Sequence, residues 1–509
     1  MTQLTEENRS VIGDIVKRSA ARSPKDTAIV FQDRTWTYSK LDQAVTNIAR
    51  LFVEHGLEKG DRVAAYSKNS DIFAIVFLAC ARAGLIHVPV NYQLTKDELN
   101  YILSDSDPKL ILAEEALMPF IEETEAGQKR ERMLMESLVE PALKVDGPAR
   151  DGEFSPVDTD RVQLLYTSGT TSSPKGAVMT HRSLMHQYLS ALTSLDFTSS
   201  DRFVHALPLY HSAQMHVLLI PALMRGAYSI IVPTPVPQQL LELIEKERIT
   251  AFFAAPTVWV ALTNNPDFTT RDLSSLKKAY YGASIMPGPI VERLQKQLPE
   301  LGLYNCFGQS EMGPLCTVLR PEEHADRPAS AGRPALFVET RIVDLDGNDV
   351  EVGQRGEILY RSPQLAEGYW NKPEKTAEAF VGGWFHSGDL VVADEEGYIT
   401  VVDRVKDVIN TGGVLVASRE VEDVIFSMDG VEEVSVVGMP DEKWIEAITA
   451  YVVLTEAGRT SLTEEAVIEY VKGKLAGFKV PKAVHFVDAL PKNSAGKILK
   501  RSLREGTHA

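Results

Sequence analysis

Along residues 37–56, TYSKLDQAVTNIARLFVEHG, the apolar positions Leu41, Val45, Ile48 and Phe52 recur at helical spacing. Ser39 reads as the N-cap and Gly56 as the residue beyond the end. DRVAAYSKN then reads as a buried strand, DIFAIVFLACARAG as a strongly apolar helix, and KLILAEE as another strand. Repeated strand–helix alternation predicts α/β layers with mostly parallel sheets. Residues 123–158 are acidic and weakly periodic, and are expected to form a surface excursion before the strand RVQLLY.

From about residue 330 the texture changes to short alternating runs with Asp-Gly and Gly-Gln turns, which predicts a small β-rich subdomain. After Arg404, helices at SREVEDVIFSM and TEEAVIEYVKGKLAG flank strands at VEEVSVVGM and AITAYVVL. The expected fold is α/β: a large multi-layer N-terminal domain, residues 1–403, and a small α+β C-terminal domain, residues 404–509.

The 509 residues suffice for two or three domains, with 44% hydrophobic and 24% charged residues. A net charge of −17 without a long basic stripe argues against a nucleic-acid partner. Three cysteines, Cys80, Cys306 and Cys316, lack metal-ligand spacing and fit a reducing, cytoplasmic setting. The N-terminus lacks a signal-peptide core, and no run reaches the roughly 18 apolar residues of a membrane span. The sequence leaves a homodimer open.

Chemistry concentrates in YTSGTTSSPKG, residues 166–176, where a strand runs into a loop of hydroxyls, glycines and one lysine. Backbone amides, hydroxyls and Lys175 there can all face an anion. A P-loop NTPase is excluded, because Pro174 stands five residues after Gly169 and Gly176 follows Lys175.

The order of residues resembles the phosphate-binding signature of the adenylate-forming superfamily, which includes acyl-CoA synthetases, luciferases and peptide-synthetase adenylation domains. The resemblance spans essentially the whole chain, and its signatures run from Thr167 to Lys497. It implies that Thr167, Ser168, Gly169, Thr170, Thr171 and Lys175 hold ATP phosphates. In NCFGQSEMGP, Ser310 stands where the signature has threonine. There Glu311 is the implied ligand of Mg²⁺ and Ser310 a phosphate donor.

By the same resemblance Gly282, Ala283 and Ser284 of YYGASIMP, with Phe307 and Gly308, lie beside the nucleotide. Asp389 of GWFHSGDL and Arg404 of VDRVKDVINTGG would hold the ribose hydroxyls. Lys406 matches the hinge of a mobile C-terminal domain, and Gly412 and Gly413 the coenzyme A side. Lys497 of LPKNSAGKILKR matches the adenylating lysine, and His211 lines the carboxylate site.

The implied activity is ligation of a carboxylic acid to coenzyme A, with ATP and Mg²⁺, through an acyl-adenylate. LPLYHSAQM lacks the aspartate that binds an amino-acid amine, and Cys306 stands where malonate-type relatives tend to place arginine. A fatty or aryl-alkyl acid is therefore expected, with Met215, Tyr281 and Met312 as pocket residues, joined by Val217, Tyr280 and Leu315. Transfer to a carrier protein, or loss of turnover, are the alternatives. Two departures stand out. Ser172 replaces a glycine of the phosphate loop, and Val414 and Leu415 replace a polar pair on the thioester-forming face.

Overall fold

Apolar residues on every side of DIFAIVFLACARA demand a helix covered all round, and the fold supplies that cover. The computed structural model describes residues 9–506 apart from 148, 151, 168–173, 283–285, 287, 345, 413, 442 and 493–497. Two units are distinguished: Met1–Thr340 with Tyr360–Phe385, and Arg341–Leu359 with His386–Ala509.

In the first unit the helix Asp71–Ala83 is buried at every position from Asp71 to Arg82. It shares one apolar cluster with the helix Tyr38–Glu54 and with strand residues of two sheets, among them Ile29, Phe31, Val63 and Leu112. One sheet has six strands in the order Glu131–Leu134, Leu110–Ala113, Arg62–Tyr66, Ile86–Val90, Arg161–Thr167, Lys175–Thr180. All its pairings are parallel except the last, an antiparallel hairpin. The other has nine strands, with Arg202–His205, Ala251–Ala254, Lys278–Gly282 and Gly302–Gly308 parallel at its centre.

The second unit is of α+β type. Val431–Asp441 and Ile445–Leu454 form a long antiparallel pair, with Ala483–Phe486 parallel on the far side. The helices Ser418–Phe426 and Glu464–Lys472 cover this sheet through Val421, Ile425, Val467 and Val471. The predicted α/β class, the largely parallel sheets and the smaller α+β unit are thus observed. The β-rich stretch expected from about 330 contains Glu339–Val343, Arg355–Arg361, Trp384–Ala393 and Ile399–Arg404.

Two local expectations are corrected. The helix Tyr38–Glu54 is capped by Thr37, whose side chain accepts from the Lys40 amide at 3.3 Å, and Ser39 lies inside it. Periodicity locates a helix but not its cap. Part of the 123–158 excursion is packed: Glu131–Leu134 extends the six-stranded sheet, and Met135, Leu138 and Ala142 are buried.

Charges at both ends of the central helix are compensated. Asp71, fully buried at the N-terminal end, accepts from Arg34 at 2.7 and 2.8 Å and from Trp36 Nε1 at 2.7 Å. Near the C-terminal end Arg82 donates to Asp42 at 2.6 Å and to the Gly13 carbonyl. Removing one partner strands the other without compensation. Asp71→Ala is expected to cost about 3–5 kcal/mol, read as a lowered urea midpoint of the first unfolding transition. An unchanged midpoint would remove the pair from the list of stabilising contacts.

Burial also holds three histidines neutral, pushing His87, His205 and His216 down to about 3. His216 Nε2 donates to Gln163 Oε1 at 2.6 Å, Gln163 donates to His87 Nδ1 at 3.0 Å, and Tyr188 donates to His216 Nδ1 at 2.9 Å. Each folded value lies below the unfolded one, so the unfolded chain binds the extra proton. Stability is therefore complete above about pH 6.5 and falls as pH drops toward 3, by about 1.4 kcal/mol per unit per histidine. Urea midpoints between pH 7 and 5 should fall accordingly, and His205→Asn should flatten that slope.

Candidate active site

The strand Lys175–Thr180 has partners on both edges. On one side it pairs with Arg161–Thr167, with Thr167 opposite Lys175 and Tyr166 opposite Gly176. On the other, Val178 donates to Gly368 O at 3.0 Å and accepts from Glu367 N at 2.9 Å, while Trp370 N donates to Gly176 O at 2.8 Å. A Cβ on Gly176 would press on the Tyr166 ring at 3.1 Å.

This second pairing carries Tyr369 to the site. The Lys175 ammonium lies 4.8 Å from the centroid of the Tyr369 ring, a cation–π contact. The Tyr369 hydroxyl donates to Glu311 Oε1 at 2.9 Å, and Ala366 N donates to the Glu311 carbonyl at 2.8 Å. Glu311 is buried, and next to it the Ser310 hydroxyl meets that of Ser212 at 3.0 Å. Ser212 follows His211, whose Nδ1 accepts from Ala213 N at 3.3 Å. Burial lowers the pKa of His211, so its imidazole is neutral near pH 7. A π-helix, Ala213–Leu219, begins there, a local widening often found where function needs it.

The nucleotide-side candidates occupy carboxyl ends of parallel strands, where open α/β sheets bind ligands. Gly282 lies opposite Cys306, and a Cβ on it would sit 2.2 Å from the Cys306 carbonyl oxygen. A Cβ on Gly308 would meet Pro314 O at 1.8 Å, so only glycine fits either position. Phe307 lies on the same strand, opposite Thr317. Burial raises the pKa of Cys306 and keeps the thiol protonated, which rules it out as a resident thiolate.

Sequence position thus becomes proximity for Thr167, Lys175, Ser310, Glu311 and, through Ser212, His211. The apolar candidates divide among the core clusters. Met215 packs in the cluster around the central helix, Tyr281 in the one holding Trp259 and Leu262, and Tyr280, Val217 and Leu315 in a third. Tyr281 donates its hydroxyl to His324 Nε2 at 3.0 Å, and Met312 is fully buried.

Asp389 and Arg404 belong to the second unit and lie directly opposite on antiparallel strands. Arg404 Nη1 reaches Asp389 Oδ1 at 2.9 Å and the Ser387 carbonyl at 2.9 Å. Lys406 is exposed in the turn Val405–Asp407. Gly412 adopts φ +64° and donates to the Trp444 carbonyl at 2.5 Å. Ser168, Gly169, Thr170, Thr171, Ser172, Ala283, Ser284, Gly413 and Lys497 lie outside the described residues.

Among the described residues no group of three His, Cys, Asp or Glu side chains could hold a metal. One carboxylate beside hydroxyls suits Mg²⁺ that arrives with phosphate oxygens, since that ion keeps few protein ligands. Glu311 and Ser310 fit that role. Tyr369 and Ser212 were not expected from sequence. The signal in AEGYWNKP, glycine followed by two aromatics before a turn, carries no chemistry of its own.

A model of the AMP-binding enzyme family matches residues 16–370, and one of the AMP-binding enzyme C-terminal domain matches 420–497. The chain belongs to the AMP-binding enzyme family. A feruloyl-CoA synthase of Amycolatopsis is 35% identical to this AMP-binding enzyme, over 97% of the chain and 98% of the relative. A long-chain-fatty-acid–CoA ligase of Mycobacterium tuberculosis is 33% identical, over 97% and 98%. The crystal structure of ATP-bound MatB from Rhodopseudomonas palustris is 29% identical, covers 98% of this chain and 99% of that one, and gives a TM-score of 0.90.

Tyr369→Phe retains the ring over Lys175 and removes the hydroxyl that donates to Glu311. A hydrogen bond to a charged group is worth about 1.5–3 kcal/mol, so MgATP affinity by calorimetry should fall about tenfold. Unaltered affinity would show that the hydroxyl does not orient Glu311.

Proposed function

We propose that the chain is an ATP- and Mg²⁺-dependent ligase that joins a fatty or aryl-alkyl carboxylic acid to coenzyme A through an acyl-adenylate. The observation that carries this is the meeting of Tyr369, Glu311 and Ser310 with Lys175 at the start of the strand Lys175–Thr180, in a chain of the AMP-binding enzyme family. The feruloyl and long-chain acyl relatives support the substrate class.

A carboxylate oxygen of the acid attacks the α-phosphorus of ATP, and pyrophosphate leaves. The thiolate sulfur of coenzyme A then attacks the acyl carbon, and AMP departs with the bridging oxygen. Lys175, Thr167 and the loop 168–171 orient the pyrophosphate, and Lys497 offsets charge that builds on the transferred phosphate. Glu311 and Ser310 would hold Mg²⁺, which when bound supplies neutralising charge beside the phosphates. Neutral His211, whose Nδ1 accepts from the Ala213 amide, can donate through Nε2 to the substrate carboxylate. Asp389 accepts from the ribose hydroxyls while Arg404 fixes its orientation. Lys406 serves as the hinge between residues 1–403 and 404–509, and Gly412 and Gly413 flank the incoming pantetheine.

Val414 and Leu415 leave the acceptor open: the residues are 44% and 54% exposed, an apolar face that suits a pantetheine arm whether it belongs to free coenzyme A or to a carrier protein. The three cysteines are buried thiols, which supports a reducing cytoplasm. Among the described residues, no helix is long and apolar enough to cross a membrane.

Pyrophosphate release and acyl-CoA formation, followed together over straight-chain, branched and aryl acids, test the reading. Both should rise for the same acids, and silence in both would contradict it. Lys497→Ala should lower pyrophosphate release by about a hundredfold or more while acyl-CoA still forms from synthetic acyl-adenylate. Equal loss in both assays would remove Lys497 from its assigned step.

A further inference from the structure

The terminal helix Lys500–Arg504 has five residues, too few to persist alone. Leu503 anchors it, fully buried among Val437, Tyr451, Val453 and Leu490. Lys500 and Arg504 stand one turn apart and therefore share a side. Both reach toward one stretch, residues 403–407. Arg504 Nη2 donates directly to Asp407 Oδ1 at 2.8 Å.

Lys500 connects through a relay. Its ammonium meets Glu422 Oε1 at 2.8 Å and donates to the Ser418 hydroxyl. The same hydroxyl donates to Asp403 Oδ2 at 2.7 Å, and the Ser418 amide donates to that oxygen at 2.6 Å. Asp403 also accepts from the Arg404 amide at 2.7 Å. Hydroxyl geometry permits this use as one donor and one acceptor together. Two carboxylates four residues apart, Asp403 and Asp407, are thus tied to two cations four residues apart, and Arg404 and Lys406 lie between the carboxylates.

Upstream, Ile498 bridges Lys492, and Leu499 N donates to Pro491 O at 2.8 Å. The helix therefore begins three residues after Lys497, from a clamped base. We propose that Lys500 and Arg504 are positioning residues for adenylation: they fix the segment that follows Lys497 to the stretch that carries Arg404 and Lys406. This rests on the ligase reading above. A lysine that must meet a developing charge gains from such fixing, since displacement by an ångström costs much of the rate. Thioester formation does not call on Lys497, so it should not depend on the clamp.

The test uses the full chain with Lys500→Met, Arg504→Met and the double substitution. Acid-dependent pyrophosphate release reports adenylation, and acyl-CoA formation from synthetic acyl-adenylate reports the second step. The double variant should release pyrophosphate about tenfold or more slowly, with KM for ATP within about threefold and the second step within about twofold. Lys500→Arg, which keeps charge and donors, should restore most of the rate. Equal loss of both steps, or undiminished pyrophosphate release, would overturn the proposal. Should Lys500→Met fail to fold, Arg504→Met and Glu422→Gln carry the same comparison. A wild-type chain silent in both assays would instead overturn the ligase reading itself.

Discussion

The strand Lys175–Thr180 is the element on which the site depends. A buried strand at the end of a sheet must still satisfy donors and acceptors on both edges, and here the two edges are filled by chain segments about two hundred residues apart. One edge is the hairpin partner Arg161–Thr167, which fixes both ends of the loop expected to hold phosphate. The other is the segment 367–370, which brings Tyr369 between Lys175 and Glu311. The lysine and the carboxylate proposed to serve opposite ends of a metal–phosphate group are thereby held by one aromatic side chain. Their placement follows from backbone pairing and does not rely on a flexible ion pair.

In its core the first unit carries charge and polarity where apolar side chains would be simpler. Asp71 and Arg82 sit at the two ends of a buried helix, and a Tyr–His–Gln–His chain crosses the core. Each group is costly unless paired, so each enforces one arrangement of helices and sheets. The second unit repeats the device with Asp403, Ser418, Glu422 and Lys500. Rigid support of this kind suits a reaction in which most of the work is orientation and charge stabilisation.

Periodicity was enough to foretell the layers and the strand–helix alternation, because burial on a helix or strand leaves a repeat in the sequence. The ordered signatures singled out Lys175, Ser310 and Glu311, which the fold brings together. Tyr369 was hidden because its role comes from pairing across the fold, 58 residues from its carboxylate partner. The cap at Thr37 was missed because two hydroxyl residues two positions apart compete for the same end. The acyl candidates divide between clusters for a related reason: Tyr280 and Tyr281 are neighbours on a strand and so face opposite sides, which spacing alone does not assign to a cavity. Ile445 escaped as well, since nothing in a β-branched residue announces φ +67°.

The central claim is that a carboxylate oxygen of the acid bonds to the α-phosphorus of ATP. It is tested most directly by supplying an acid labelled with ¹⁸O in both carboxylate oxygens, together with ATP, Mg²⁺ and coenzyme A, and weighing the nucleotide product. The account predicts AMP that carries one labelled oxygen, with the other retained in the thioester. Unlabelled AMP, or ADP with the label in inorganic phosphate, would contradict it.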